Sequence, residues 1–81
     1  MRYTVVLVPD EEDGGYVAYV PSLPGVVAQG ETIPEALAMA EDAAHGYVDI
    51  LVKDHQEVPT EGAGVVVGSI GVMMPPLASV P

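Results

Sequence analysis

Three stretches in the first thirty residues have the pattern of β-strands. Residues 2–8 are rich in β-branched side chains, and residues 16–20 and 26–29 alternate between apolar and small or polar positions. In the first stretch Thr4, Val6 and Val8 fall on the face opposite Tyr3, Val5 and Leu7, which predicts that both faces are partly buried. The connections are short, so we expect an antiparallel three-stranded meander.

A long amphipathic helix is predicted from Thr32 to about Lys53. Thr32 is the expected N-cap, Glu35 completes the spacing of a capping box, and Pro34 falls in the first turn. Apolar side chains recur at helical spacing and predict the buried stripe, formed by Ile33, Leu37, Ala40, Ala44, Tyr47, Val48 and Leu51.

The region after the helix is uncharged and rich in glycine and proline. Residues 58–62 are expected to form a linker, residues 64–72 a fourth strand weakened by Gly68 and Gly71, and residues 73–81 an irregular end. The order β-β-β-α-β predicts an α+β domain with one long helix packed on a small sheet. We assign residues 1–61 to the main part of this domain and residues 62–81 to its C-terminal strand and apolar tail.

Composition makes such a domain marginal by itself. The chain has 81 residues and no cysteine, phenylalanine or tryptophan, so neither disulfides nor thiolate metal sites are available. A domain of this size buries only about 60% of its unfolded surface. We therefore expect a homo-oligomer, most simply a dimer, whose interface includes apolar side chains of the C-terminal region: Val65, Val67, Ile70, Val72 and Met74.

The charge is strongly one-sided. Twelve acidic residues face only Arg2 and Lys53, which gives a formal net charge of −10. Binding to nucleic acid depends on Lys and Arg that neutralise phosphates, so we expect no nucleic-acid binding by this chain alone, and no binding to an anionic membrane. The charge favours a basic protein partner, although a generally acidic proteome would produce the same composition.

No targeting segment precedes the first strand, and glycines and prolines interrupt the uncharged region 62–81 too often for a membrane-spanning helix. We therefore expect a cytoplasmic protein.

The residues offer little catalytic chemistry. Asp10–Asp13 lacks the spacing of a calcium loop, His45 and His55 do not have metal-ligand spacing, and no serine lies in a nucleophile motif. We predict no enzymatic activity and no catalytic, cofactor-binding or metal-binding residues. The candidate partner-binding side chains are the acidic loop and two tyrosines of the second strand, namely Asp10, Glu11, Glu12, Asp13, Tyr16 and Tyr19. By alternation one tyrosine packs under the helix and the other reaches the outer face.

Residues 21–40 carry the ordered pattern P-x-L-P-G-V-x-x-x-G-x-T-x-x-E-A-L-x-x-A. This pattern resembles the N-terminal domain of HicB-like antitoxins, and the resemblance covers most of residues 1–60. It implies a reduced ribonuclease-H-like fold without that enzyme's carboxylates. It also implies a partner, the small basic mRNA-cleaving toxin HicA. Many HicB proteins add a C-terminal DNA-binding domain, and we expect none after Leu51 in this chain.

Three functions remain open from the sequence. The first is a non-enzymatic antitoxin, or a module derived from one, that neutralises a HicA-type toxin by occlusion. The second is an orphan homo-oligomeric structural or small-ligand-binding protein without a toxin, and the third is a residual hydrolase.

Overall fold

A computed structural model describes residues 1–61 and 64–76 of the chain. The sheet is formed by β1 (Val6–Pro9), β2 (Tyr16–Tyr19) and β3 (Val27–Gly30), in the order β1-β2-β3 with both pairs antiparallel. A single long helix, α1 (Ile33–Lys53), follows and packs on β2 and β3. The predicted α+β class, the meander and the helix are confirmed.

The register of the meander defines its two faces. Leu7, Ala18 and Ala28 lie side by side across the three strands and pack against the helix side of the core. Their neighbours in each strand point to the opposite face, because side chains alternate along a strand. The helix covers only one of these faces.

The core under the helix is built from small residues. Ala18 of β2 and Ala36 and Ala40 of α1 are fully buried and form one cluster. Gly30 lies against the first turn of α1, and a Cβ atom at this position would be 2.3 Å from the backbone nitrogen of Ala36. The helix therefore approaches the sheet more closely than larger side chains would allow.

A second apolar cluster lies beside the turn that connects β2 to β3. Leu23 is the largest fully buried side chain, and it packs with Val20 and Val26. Backbone hydrogen bonds from Leu23 N to Val20 O (3.0 Å) and from Val26 N to Leu23 O (2.8 Å) hold the turn in place. The Leu-Pro-Gly part of the sequence pattern is thus a turn whose leucine completes the core.

Both ends of the helix are capped. At the N-terminus Glu35 N donates to Thr32 Oγ1 (3.2 Å), as predicted, but the Glu35 carboxylate accepts from Glu31 N rather than from Thr32 N. At the C-terminus His55 N donates to Val52 O and Gln56 N to Leu51 O, with His55 at a φ of 55°. This pair of bonds is a Schellman motif, in which a residue in the left-handed region ends the helix.

Two sequence predictions need correction. The predicted stripe is wrong in the first turns of the helix, because Ile33 and Leu37 are 44% and 41% exposed while Ala36 is fully buried. The rest of the stripe is buried or half-buried as predicted, namely Ala40, Ala44, Tyr47, Val48 and Leu51. The small side chain of Ala36 permits the close approach to Gly30, so it takes the position that hydrophobicity alone assigned to its larger neighbours. The predicted fourth strand over residues 64–72 is wrong, since none of residues 64–76 belongs to a strand. Gly68 and Gly71 weaken β-structure there, and within residues 1–61 and 64–76 no strand pairs with this segment.

Replacement of Gly30 by alanine should destabilise the fold, because the added Cβ meets backbone atoms of Glu35 and Ala36 that cannot rotate away. Overpacking of this kind typically costs about 1–3 kcal/mol. The matched control is Gly46→Ala, at a helix position where nothing lies within 4 Å of the new Cβ. That change should stabilise the protein by up to about 1 kcal/mol through helix propensity. Urea unfolding of both variants measures the two effects, and equal effects would exclude close contact at Gly30.

Candidate partner-binding surface

The face of the sheet that the helix leaves uncovered is mostly apolar. By strand alternation and register it carries Val6 and Val8 of β1, Val17 and Tyr19 of β2, and Val27 of β3. Tyr19 and Val27 are 44% and 54% exposed, and Val8 is also exposed. We call these five residues the open face. A contiguous apolar surface of this kind on a small acidic protein is a candidate for contact with another molecule.

The two tyrosines of β2 have different surroundings. Tyr16 is half-buried and packs against the cluster of Ala18, Ala36 and Ala40, whereas Tyr19 belongs to the open face. The expectation that one tyrosine packs under the helix and the other reaches the outer side is met. Of the two, Tyr19 is therefore the better candidate for partner contact.

The acidic loop lies at one end of the sheet, between β1 and β2. The Asp10 carboxylate accepts hydrogen bonds from Glu12 N (3.1 Å) and Asp13 N (3.2 Å), which form an Asx-type turn. Asp10 N donates to Gly15 O (3.0 Å), and Gly15 has a φ of 75°, a conformation that favours glycine. Glu11, Glu12 and Asp13 consequently face solvent from a loop with a defined backbone.

Further carboxylates converge on the same end of the molecule. A shallow cleft of about 220 Å³ is lined by Asp10 and Asp13 of the loop together with Glu31 and Glu35 at the start of α1. With Glu11 and Glu12, half of the chain's twelve carboxylates lie at this end. The N-terminus of α1 offsets part of this charge through its helix dipole. The result is a strongly negative end of the sheet next to the open face.

Nothing in the described residues resembles a metal centre. Among residues 1–61 and 64–76, no group of three or more His, Cys, Asp or Glu side chains has the geometry to hold a metal ion. His45 lies at the rim of a groove beside the helix, and His55 ends the helix through its backbone. Within the same residues, no helix combines the length and apolar character that crossing a membrane requires.

Sequence reasoning missed the role of Glu61. Its carboxylate accepts hydrogen bonds from Thr4 N (2.9 Å), from the Thr4 hydroxyl and from the Ser22 hydroxyl (3.0 Å). Nearby, the Tyr3 hydroxyl donates to Pro59 O at 2.6 Å. We call the contacts of Glu61 with Thr4 and Ser22 the Glu61 clasp. It ties the chain after the helix to the segment before β1 and to the turn after β2. The residues around Glu61 in the sequence form no local pattern that predicts these distant partners.

The clasp also changes the acidity of Glu61. Hydrogen bonds from the side chain and backbone of Thr4, and to a smaller extent from Ser22, stabilise the ionised carboxylate and lower the pKa of Glu61 below its usual value, although partial burial opposes them.

Comparison with known proteins places this architecture in a family. The sequence model of one protein family, the HicB-like antitoxin of bacterial toxin-antitoxin systems, matches residues 3–66. These residues include all three strands and the helix. The chain belongs to the HicB-like antitoxin family. The family resemblance predicted from residues 21–40 is thereby confirmed.

Relatives of two lengths share this family domain. A UPF0150 protein of Thermoplasma acidophilum is 43% identical over 63 residues, which cover 78% of this chain and 90% of the relative. Antitoxin HicB of Escherichia coli K12 is 39% identical over 59 residues, which cover 73% of this chain but 42% of the antitoxin. Antitoxin HicB 1 of Photorhabdus laumondii is 42% identical over 62 residues, covering 76% of this chain and 39% of the relative. The chain thus spans less than half the length of these two named HicB antitoxins.

The structure also places the predicted oligomer residues. Val67, Ile70, Val72 and Met74 are exposed and Val65 is half-buried, and all five lie in the non-strand segment after the clasp. Their role in an oligomer interface stays a prediction.

The Glu61 clasp makes stability depend on pH. Because the folded pKa of Glu61 is lowered, the clasp should contribute stability above the ordinary glutamate pKa of about 4.3 and lose it as the pH falls through the folded value. Glu61→Gln should therefore lower the urea midpoint at neutral pH, and its difference from the unmodified chain should vanish in acid. Glu57→Gln is the matched control, since Glu57 is exposed in the same segment. A difference for Glu61→Gln that is independent of pH would contradict a role of the ionised carboxylate.

Proposed function

We propose that this chain is a toxin-binding module, which neutralises a small, basic, RNA-cleaving protein of the HicA type by covering its RNA-binding surface. The observation that carries the proposal is the family match over residues 3–66, because this part contains the whole meander and the helix. The chain acts in this role without catalysis of its own.

The open face and the acidic loop together have the anatomy of a protein–protein contact. Stable interfaces combine an apolar centre with a polar rim. Tyr19 and Val27 would supply exposed apolar area, while Glu11, Glu12 and Asp13 at the other end of the strands would supply a charged rim. Aromatic side chains such as Tyr19 are also enriched among residues that dominate binding energy.

Occlusion follows from charge. A ribonuclease that holds RNA through Lys and Arg presents the positive surface that carboxylates also bind. An acidic end that occupies those side chains competes directly with RNA phosphates. The same charge accelerates the encounter of the two proteins, and this effect weakens as salt increases.

The alternative is an orphan homo-oligomeric structural or small-ligand-binding protein without a toxin. The exposed apolar side chains of residues 64–76 favour self-association in either case. A gene for a small basic protein beside this one would favour the antitoxin role, and its absence would favour the orphan.

The decisive experiment isolates the partner and tests neutralisation. The tagged chain is used to capture a small basic protein from the source organism, and the purified partner is assayed for cleavage of mRNA. An equimolar amount of the chain should abolish cleavage. Cleavage that continues at saturating chain, or RNA cleavage by the chain alone, would overturn the proposal.

Neutralising the acidic loop should slow association with that partner. The variant Asp10→Asn, Glu11→Gln, Glu12→Gln, Asp13→Asn removes four charges and keeps the side-chain oxygen that accepts the turn's hydrogen bonds. We expect the association rate constant to fall by about tenfold at low salt and much less at high salt. Stopped-flow mixing at two salt concentrations measures both.

The matched control removes four exposed charges elsewhere, through Asp42→Asn, Asp49→Asn, Asp54→Asn and Glu57→Gln. Its association rate should fall less than that of the loop variant. If the association rate constant falls equally in the two variants, net charge rather than the acidic loop steers the encounter, and the loop has no special role.

A further inference from the structure

A groove of about 750 Å³ runs beside the helix on the side of β1. It exists because α1 packs mainly on β2 and β3, so that the helix side of β1 is incompletely covered. Its walls are largely apolar and include Tyr3 and Val5 before β1, Val20 after β2, and Leu37, Ala44 and Val48 of α1. A groove with such walls suits an extended apolar chain segment.

One side of the groove is formed by the chain that leads into the edge strand β1, through Tyr3 and Val5. β1 is at the end of the sheet order, and among the described residues only β2 pairs with it. An open edge offers backbone N–H and C=O groups to another strand. An extended segment that fills the groove and continues along the edge of β1 would gain main-chain hydrogen bonds as well as apolar contacts.

Residues 64–76 have the composition that fits this groove, and we call them the apolar segment. No charged residue occurs in residues 62–81. Val66, Ile70 and Met73 are 92%, 90% and 93% exposed, so the apolar segment does not cover the groove of its own chain. An apolar stretch this exposed is an aggregation liability unless another surface receives it.

The chain turns at the start of the apolar segment. Gly64 N donates to Glu61 O (3.2 Å), and Gly64 has a φ of 105°, which side-chain-bearing residues rarely adopt. Glu61 itself is hydrogen-bonded to Thr4, two residues before β1, through the clasp. The segment thus leaves its own domain from an anchored point close to the groove.

We propose that the apolar segment of one copy docks in the groove of a second copy, beside the chain that leads into its edge strand β1, and that the second copy returns the same contact. This arrangement is a two-fold exchange of identical elements, which closes the assembly as a dimer. It goes beyond toxin neutralisation and does not depend on it.

The size of the contact is adequate for a stable dimer. Thirteen residues in extended form span about 40 Å at ~3.3 Å per residue, which is ample to cross between two copies. In the exchange each copy contributes the 12 residues that line its groove and the 13 residues of its apolar segment. Together they fall within the roughly 20–30 residues that each partner contributes to a standard interface.

The low charge of the apolar segment and of most of the groove also favours a second copy as the occupant. Two copies of net charge −10 repel each other, so their contact must use surfaces that carry little charge. The apolar segment and most of the groove meet this condition, whereas the acidic end does not. The open face lies on the opposite side of the sheet and stays free in this dimer.

The first test is mass in solution, measured by light scattering on the full chain at tens of micromolar. We expect the unmodified chain to be a dimer. The double variant Val66→Asp, Ile70→Asp should raise the dissociation constant of the dimer by at least about 100-fold, because the introduced carboxylates would be buried in the groove. Val27→Asp places the same charge on the open face and should leave the dimer intact. Both sets of positions are exposed within one chain, so circular dichroism should show unchanged helix.

The second test locates the contact with single cysteines, which is practical because the chain contains none. His45→Cys at the groove rim is mixed with Ile70→Cys in the apolar segment under a glutathione redox buffer. A disulfide between these two chains is necessarily intermolecular and should dominate. Met39→Cys, exposed on another side of the helix, replaces His45→Cys as the control and should cross-link much less.

Each alternative gives a distinct result. A monomeric full chain overturns the proposal, as does equal cross-linking at Met39 and His45. A chain with both His45→Cys and Ile70→Cys that forms only an internal disulfide would show that the apolar segment closes on its own domain, which also overturns the exchange. None of these outcomes bears on toxin binding.

Discussion

The close contact between Gly30 and Ala36 is the constraint on which the arrangement depends. A Cβ at Gly30 would lie 2.3 Å from Ala36 N, so only glycine permits the helix to start against the end of β3. Ala18 and Ala40 continue this narrow contact along the helix. Close backbone approach compensates for the absence of phenylalanine and tryptophan, because small side chains at a tight interface still exclude water and pack densely.

This contact fixes the helix over β2 and β3 and leaves two surfaces for other molecules. On the helix side, the chain that leads into the edge strand β1 borders a mostly apolar groove. On the other side, the open face carries Tyr19 and Val27. A domain with a core this small leaves apolar surface exposed to solvent, which favours association with another molecule.

Charge divides the roles of these surfaces. The acidic end gathers the loop after β1 and the first turn of α1, where it repels a second copy and attracts a basic protein. The apolar segment carries no charge and suits contact between identical copies. The proposed toxin contact and the proposed exchange therefore use opposite sides of one sheet, and a dimer would present two toxin-binding faces.

The sequence by itself determined the three strands, the capped helix, the family and the acidic character, because each follows from local periodicity, capping residues or composition. Only the tertiary structure decided which side chains are buried in the first turns of the helix, where Ala36 takes the place predicted for Ile33 and Leu37 because of the close approach at Gly30. Likewise, the Glu61 clasp joins Thr4 and Glu61, which are 57 positions apart in the sequence. Whether residues 64–72 form a strand also depends on a neighbouring strand that pairs with them, and they form none. Such outcomes depend on contacts between distant parts of the chain, on which local patterns carry no information.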